Sequence, residues 1–224
     1  MSAAKTLTAL LRARHSCRAY LPDAVDRDVI EEAVRTAGRV PSWCNAQPWQ
    51  VTLCSKAATD AFRTALWAHV QTGESAPDIP FPAGYSGLQK DRRRACGFQL
   101  YDAAGIEKGD HAASARQMME NFKLFGAPHV AIVTAPKELG PYGVLDCGAF
   151  ITAFTLALEA RGIASIPQAA VASYAPFVRA HFDLPETRDV VCAISFGKRD
   201  ETAPVNRFRT QRAPLDEILD WKDT

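Results

Sequence analysis

Residues 129–135, HVAIVTA, and residues 144–161, VLDCGAFITAFTLALEAR, decide the fold. The first run is apolar throughout and reads as a strand buried on both faces. In the second, Leu145, Ala149, Phe150, Ile151, Ala153, Phe154, Leu156, Ala157 and Leu158 spread around most of a helix, more apolar surface than one sheet can cover. Gly162 ends that helix. Outward toward the C-terminus, the pattern predicts a short strand at 163–166, a helix at 175–182 and a strand at 190–196, then an arginine-bearing arm at 198–224 with a helical turn or two at 215–221. Toward the N-terminus, Leu7, Leu10 and Leu11 repeat at helical spacing and deliver Arg12 and Arg14 to an aperiodic stretch at 15–23 that contains Pro22. Asp26 is placed as an N-cap with Val25 and Ile30 as a hydrophobic staple, and Val29, Ile30, Ala33, Val34 and Ala37 line one helical face until Gly38. A proline-pinned loop, RVPSWCNAQPW at 39–49, leads into an alternating strand at 49–54, WQVTLC, with Trp49 assigned to the core. A helix at 57–70 follows. Prolines and glycines exclude regular structure over 71–87, and polar helices are expected at 88–102 and 111–125. Residues 67–125 form an excursion that covers something. Helices and strands are interleaved, with no linker that divides domains.

The bulk properties exclude several functions. The chain has 224 residues and a formal net charge of +1, so no global field attracts nucleic acid or an anionic membrane. A single core of this size removes about 70% of the unfolded surface from water and needs no disulfide or structural metal. Six cysteines without a C-x-x-C pair, and an N-terminus lacking a signal-peptide pattern, predict a reduced, cytoplasmic protein. No uninterrupted apolar run approaches the roughly 18 residues of a membrane span, so none is expected. Neither G-x-G-x-x-G nor G-x-x-x-x-G-K-[ST] is present, and H-E-x-x-H and G-x-S-x-G are absent too. The five histidines are too dispersed to propose a metal site.

Three features remain. Arg14, Ser16 and Arg18 in RHSCR, and Arg207, Arg209 and Arg212 in NRFRTQR, are suited to clamp a phosphomonoester through guanidinium and hydroxyl donors, or are solvated basic faces. The loop holding Pro41, Ser42, Trp43, Asn45 and Gln47 sets amides, a hydroxyl and an aromatic on irregular backbone, which suits a flat heterocycle with polar edges. Cys44 in the same loop is an alternative nucleophile with His15 as base. Residues 90–94, KDRRR, are either a nucleic-acid patch or a solvated helix face.

RHSCR-x-Y followed by a capped helix and A-G-x-x-P-S-x-x-N-A-Q-P-W resembles the opening of the nitroreductase family of FMN-dependent oxidoreductases. FGAPHVAIVTA, LDCGAFITAFTLALEARGI and FGKRDETAPVNRFRTQRAPLDE resemble, in order, its central strand, long interface helix and closing phosphate-binding arm. The likeness is strong over the first 55 or so residues, good over 125–217 and weak over 67–123, and points toward the nitrobenzoate-reductase-like branch. It implies an α+β, three-layer α/β/α fold with a mixed, mostly antiparallel central sheet, in one domain spanning 1–224. It implies an obligate homodimer with FMN at the interface, and NADH or NADPH reducing a nitroaromatic or quinone-like acceptor by a ping-pong mechanism. By the same resemblance, Arg14, His15 and Ser16 hold the FMN phosphate and ribityl end, and Arg18 reaches the N1/C2-carbonyl edge. Pro41, Ser42, Trp43, Asn45 and Gln47 come from a second subunit. Pro167, Gln168 and Ala169 border N5 through backbone groups, and Arg212 completes the phosphate clamp. Some members carry lysine where this chain has Thr210, so either Arg209 substitutes for it or the clamp is weaker. No protein side chain is expected to act as catalytic acid, base or nucleophile, and no metal is implied. The alternatives are a non-enzymatic FMN-binding storage or sensor protein, and a family variant acting as dehalogenase or dehydrogenating oxidase. Tyr85, Phe98, Tyr101, Phe122 and Phe125 in the excursion are candidates for a pocket wall or for core.

Overall fold

The computed structural model describes residues 2–222. Its sheet has the order β1-β2-β4-β3, built from β1 (Gln50–Leu53), β2 (His129–Pro136), β3 (Ala164–Gln168) and β4 (Arg188–Gly197). All three pairings between these strands are antiparallel, and the parallel component is an isolated bridge from Ser16 to Ser165 on the β3 edge. β2 is buried along nearly its whole length, as its unbroken apolar run requires.

One bulge matters for the layering. Val133 pairs with Cys192 while Thr134 pairs with Val190, which leaves Val191 as the extra residue. Because side chains alternate across a strand, the insertion sends Val190 and Cys192 to opposite faces. On one face, Ala131, Val133, Ala135, Cys192, Ile194 and Phe196 meet α2 (Arg27–Ala37) and α6 (Gly140–Glu159) through Ile30, Ala33, Ala37, Phe150, Phe154 and Leu158. On the other, Val130, Ile132, Val190 and Ala193 meet α3 (Lys56–His69), α7 (Ala169–Ala172) and α8 (Ala175–Phe182) through Phe62, Leu66, Val171 and Val178. The result is the three-layer α/β/α arrangement. Trp49 is core, stacked on Phe150 with ring centroids 5.4 Å apart. Burial pushes the thiols of Cys54 and Cys147 up to about 11, so both behave as apolar packing groups.

By length and composition the helical segment Lys137–Glu159 could cross a membrane, yet it packs on α2, β2 and β3 as a core helix does. It begins earlier than residue 144, because Gly140 takes a left-handed turn (φ 51°) and Pro141 then starts the helix. Its buried Asp146 accepts a hydrogen bond from the Trp43 amide at 3.0 Å. β3 runs on to Gln168, past the expected end at 166, and α7 was not anticipated because its four residues are too short to show a period.

Two other expectations are corrected. Asp26 occupies the N-cap of α2, but its side chain makes no capping bond. The preceding Val25 amide instead donates to Nε2 of buried His129 (2.9 Å), whose Nδ1 faces the Cys54 carbonyl (3.0 Å). The helix expected over 111–125 stops as α5 (His111–Met119) and continues as a 3-10 segment, Glu120–Gly126. There Leu124 and Phe125 adopt φ values of 55° and 51°, and Arg63 donates to the carbonyls of Lys123 and Ala127. Burial of Phe122, Leu124 and Phe125 overrides local helical preference. Within the excursion, residues 71–86 form no helix or strand but are anchored. Asp78 pairs with buried Arg179 and accepts the Val190 amide at 2.8 Å.

Candidate active site

The stretch after α1 (Ala3–Ala13) is held extended by the sheet edge rather than by helical bonds. Cys17 is buried and its amide donates to the Ser165 carbonyl at 3.2 Å. The Tyr20 hydroxyl lies 3.1 Å from the carbonyls of both Cys17 and Ser195. The Asp200 amide donates to the Ala19 carbonyl at 3.1 Å, which brings the C-terminal arm alongside.

These anchors leave Arg14, His15, Ser16 and Arg18 lining a cavity of about 330 Å³, together with Leu11 and Arg12 of α1. Phe208, Arg209, Thr210 and Arg212 close it from the arm, and Cys96 from α4 (Gly87–Ala103). An adjoining cavity of about 560 Å³ shares Leu11, Arg12, Arg14 and Arg212 and is bordered by Ile151, Thr152, Thr155 and Pro167. Both lie in the size range of small-ligand sites.

The charge pattern is that of an anion site. Arg199 nearby pairs with Glu159 at 3.3 Å, whereas Arg14, Arg18, Arg209 and Arg212 have no carboxylate partner among the described residues. Burial pushes the Arg14 and Arg18 guanidiniums below their usual values, and Arg212 adds to the effect on Arg14. Arg209 and Arg212 are held by backbone carbonyls of their own arm, at 2.9 Å from Asn206 and 3.1 Å from Thr210 respectively. His15 contributes an acceptor. Its Nδ1 lies 2.9 Å from the Ala13 carbonyl, which assigns the ring proton to Nδ1, while Nε2 is buried without a partner. Burial, then Arg209 and Arg199, push the imidazole below its usual value and favour the neutral ring. With Arg12, which also lines the cavity without a carboxylate partner among the described residues, five unneutralised arginines and the unpaired His15 acceptor suit a ligand that carries phosphate and hydroxyl groups.

The second sequence candidate lies elsewhere. The residues of the 41–47 loop do not line the arginine cavity. Trp43–Asn45 form a 3-10 turn, and Cys44, Asn45 and Gln47 all have left-handed φ values of 49°, 57° and 46°. Ser42 Oγ accepts the Gln47 amide at 2.9 Å, and Gln47 Nε2 donates to Asn45 Oδ1 at 3.2 Å. Trp43 packs on Tyr142 at 5.2 Å yet remains 64% exposed, and Pro41, Asn45 and Gln47 are exposed with it. Arg188 fixes the base of the loop, donating to the Pro48 carbonyl at 2.7 Å. Exposed Cys44 is therefore not assembled with His15 into a nucleophile and base.

Gln168 is buried with its amide engaged, Nε2 donating to the Asn121 carbonyl (2.9 Å) and Oε1 accepting from Ser195. Pro167 and Ala169 on either side are exposed. The basic run at 90–94 lies on α4, where Arg92 pairs with Glu217 and Arg93 packs over the Tyr85 ring at 5.3 Å. Phe122 and Phe125 are core, while Phe98 and Tyr101 line a separate cavity of about 400 Å³. No group of three or more histidine, cysteine or acidic residues is placed to hold a metal among the described residues. Asn206, Phe208 and Cys96 were not singled out by sequence. Their partners are remote in the chain, so no local spacing marks them.

The sequence profile of the nitroreductase family matches residues 11–198. This chain belongs to the nitroreductase family. Among its relatives, nitroreductase NfnB of Mycolicibacterium smegmatis is 37% identical over 93% of this chain and 89% of its own length. The 4-nitrobenzoate reductase of Pseudomonas putida is 30% identical over 91% of this chain and 90% of its own. The crystal structure of the FMN-dependent nitroreductase NfnB from Mycobacterium smegmatis in complex with NADPH superposes with a TM-score of 0.93 at 35% identity, covering 99% of this chain and all of that one. The family profile stops short of Arg209 and Arg212, but the structural likeness extends over the arm that carries them.

Proposed function

We propose that the protein is an FMN-dependent NAD(P)H oxidoreductase that reduces small organic acceptors of the nitroaromatic or quinone type. The observation that carries this is the convergence of Arg14, Arg18, Arg209 and Arg212, none with a carboxylate partner among the described residues, on a cavity that His15 also lines. FMN, when bound, would supply the hydride-transfer chemistry, and the residues of this chain would hold and tune it. The chain binds and tunes. Arg14 and Arg212 clamp the phosphate, with Arg209 in place of the lysine that some members carry near Thr210. His15 Nε2 accepts from a ribityl hydroxyl and Ser16 donates beside it. Arg18 would lie toward the N1/C2-carbonyl edge of the cofactor, where a fixed cation would stabilise negative charge. Pro167, Gln168 and Ala169 border N5 through main-chain groups, in keeping with a Gln168 amide that is already engaged. No dinucleotide-binding motif would be needed by a nicotinamide that stacks on the bound cofactor, and ping-pong kinetics are the expected pattern.

The site is completed by a second copy of the chain, which supplies Pro41, Ser42, Trp43, Asn45 and Gln47. Their exposure supports this reading, as does apolar surface left open on α1 (Leu7, Leu11), α6 (Tyr142, Leu145) and the arm (Leu215, Ile218, Trp221). An obligate interface of this kind buries about 2,000–5,000 Å².

The test is an absorption spectrum of the purified protein followed by NAD(P)H oxidation with and without 4-nitrobenzoate. A bound yellow chromophore and acceptor-dependent turnover are expected. A chromophore with negligible turnover supports the storage or sensor alternative, and a protein that binds no flavin overturns the assignment.

A further inference from the structure

Arg18 is held by the C-terminal arm at two points. Its backbone amide donates to Asn206 Oδ1 at 2.7 Å, across 188 positions of sequence, and its guanidinium lies over the Phe208 ring at 5.6 Å. Asn206 is 3% exposed and uses its whole amide, since Nδ2 donates to the Ala19 carbonyl at 2.8 Å and the Asp200 carbonyl at 2.9 Å. One side chain therefore bonds the backbone on both sides of the Arg18–Ala19 peptide. Arg18 itself makes one weak side-chain bond, 3.2 Å to the Ser16 carbonyl, and has no carboxylate to fix it among the described residues. Three residues beyond Asn206, Arg209 enters the cavity, with its guanidinium bonded to the Asn206 carbonyl at 2.9 Å.

We infer that Asn206, with Phe208, is a positioning residue that aims the Arg18 guanidinium and couples docking of the arm to the electronics of the bound cofactor. The inference rests on the proposed placement of Arg18 at the flavin edge. Neither Asn206 nor Phe208 has to touch the reacting atoms. A buried amide with two of its bonds made to the remote 18–19 backbone and the third to Asp200 of its own arm restricts how the arm sits against the 16–20 loop. The aromatic ring then restricts a guanidinium that has no ionic partner. A cation aimed at developing charge stabilises it without reorganising, whereas one free to rotate loses part of that effect. The arm that carries the phosphate arginines thus also sets the redox position of the ring at the other end of the site.

Potentiometry of the FMN-loaded protein, with FMN affinity and thermal stability measured alongside, tests this on Arg18→Leu, Asn206→Ala, Phe208→Leu and the double variant Arg18→Leu/Asn206→Ala. Arg18→Leu is expected to lower the midpoint potential by about 30 mV, a tenfold change for a two-electron couple. Asn206→Ala and Phe208→Leu shift it part of the way in the same direction. The double variant matches Arg18→Leu alone, because Asn206 acts through Arg18. Asp78→Asn, which weakens a buried ion pair outside the cavity, lowers thermal stability and leaves the potential at the parental value. If Arg18→Leu moves the potential but neither Asn206→Ala nor Phe208→Leu does, the positioning role is overturned. Fully additive shifts in the double variant overturn it too. If Arg18→Leu leaves the potential unmoved, the placement of Arg18 at the flavin edge fails, and the inference fails with it for that separate reason. Should Asn206→Ala not fold, Phe208→Leu decides the question.

Discussion

Two segments nominated for one site behave in opposite ways. Residues 14–18 are drawn to the sheet edge by Cys17 and Tyr20 and meet Arg209 and Arg212 across a formed cavity. Residues 41–47 stand outward, with Trp43 resting on Tyr142 and the polar groups of Ser42, Asn45 and Gln47 bonded mainly among themselves. The first segment lines a formed cavity, and the second presents a defined, exposed surface. Three left-handed non-glycine residues, Cys44, Asn45 and Gln47, show that the loop is held in a defined shape although little of it is buried. The difference between the segments is the one expected under the proposed site shared between two copies.

The strongest way to break this comparison is subunit mixing. Arg14→Ala and Asn45→Ala homodimers should each bind FMN poorly, and mixed dimers should regain about one good site per dimer, counted by flavin titration of purified heterodimer. No recovery in verified heterodimers would place each flavin within one chain. Next in size, Arg14→Ala or Arg212→Ala alone should raise the FMN dissociation constant roughly ten- to hundredfold, since charge-assisted bonds contribute about 1.5–3 kcal/mol. Their melting temperatures without FMN should stay at the parental value, because neither guanidinium has an ionic partner to lose. Trp43→Ala sharpens the other half. A Trp buried by a partner commonly contributes 2 kcal/mol or more, so dimer dissociation measured by sedimentation should strengthen by roughly thirtyfold, while an unshared Trp43 would leave the dimer unchanged.

The smallest effect concerns pH. The folded His15 pKa lies below its usual value, so as pH falls through the usual histidine range the unfolded chain takes up a proton that the folded chain resists. Stability of the FMN-free protein should therefore be full above that range and decline below it. His15→Gln should flatten the profile followed by thermal melts at pH 5.5 to 7.5. Arg209 and Arg199 near the ring reinforce the trend and Glu159 opposes it.

The comparison also explains what was legible beforehand. The central strand and helix were readable because burial on both faces writes an unbroken apolar run. The arginine sets and the amide loop were readable as chemistry. The helix over 111–125 stops at Met119 because burying Phe122, Leu124 and Phe125 sets the backbone beyond it, where Arg63 of α3 binds the Lys123 and Ala127 carbonyls. Asp26 was misjudged as a side-chain cap because the start of α2 is bonded instead to His129, 104 positions from Val25.

The sequence by itself determined most of the helices and strands, that no dinucleotide-binding motif is present, and that guanidiniums and amides are concentrated in three short stretches. Those properties are local, set by the spacing and chemistry of neighbouring residues. Only the tertiary structure decided that residues 14–18 meet 206–212 and that the Gln168 amide is engaged by Asn121 and Ser195. It also decided that Asn206 joins the two ends of the chain and that the 41–47 loop faces away. Those outcomes follow from satisfying buried backbone groups with whichever partner the packed layers bring within reach, and no pattern along the chain records that choice.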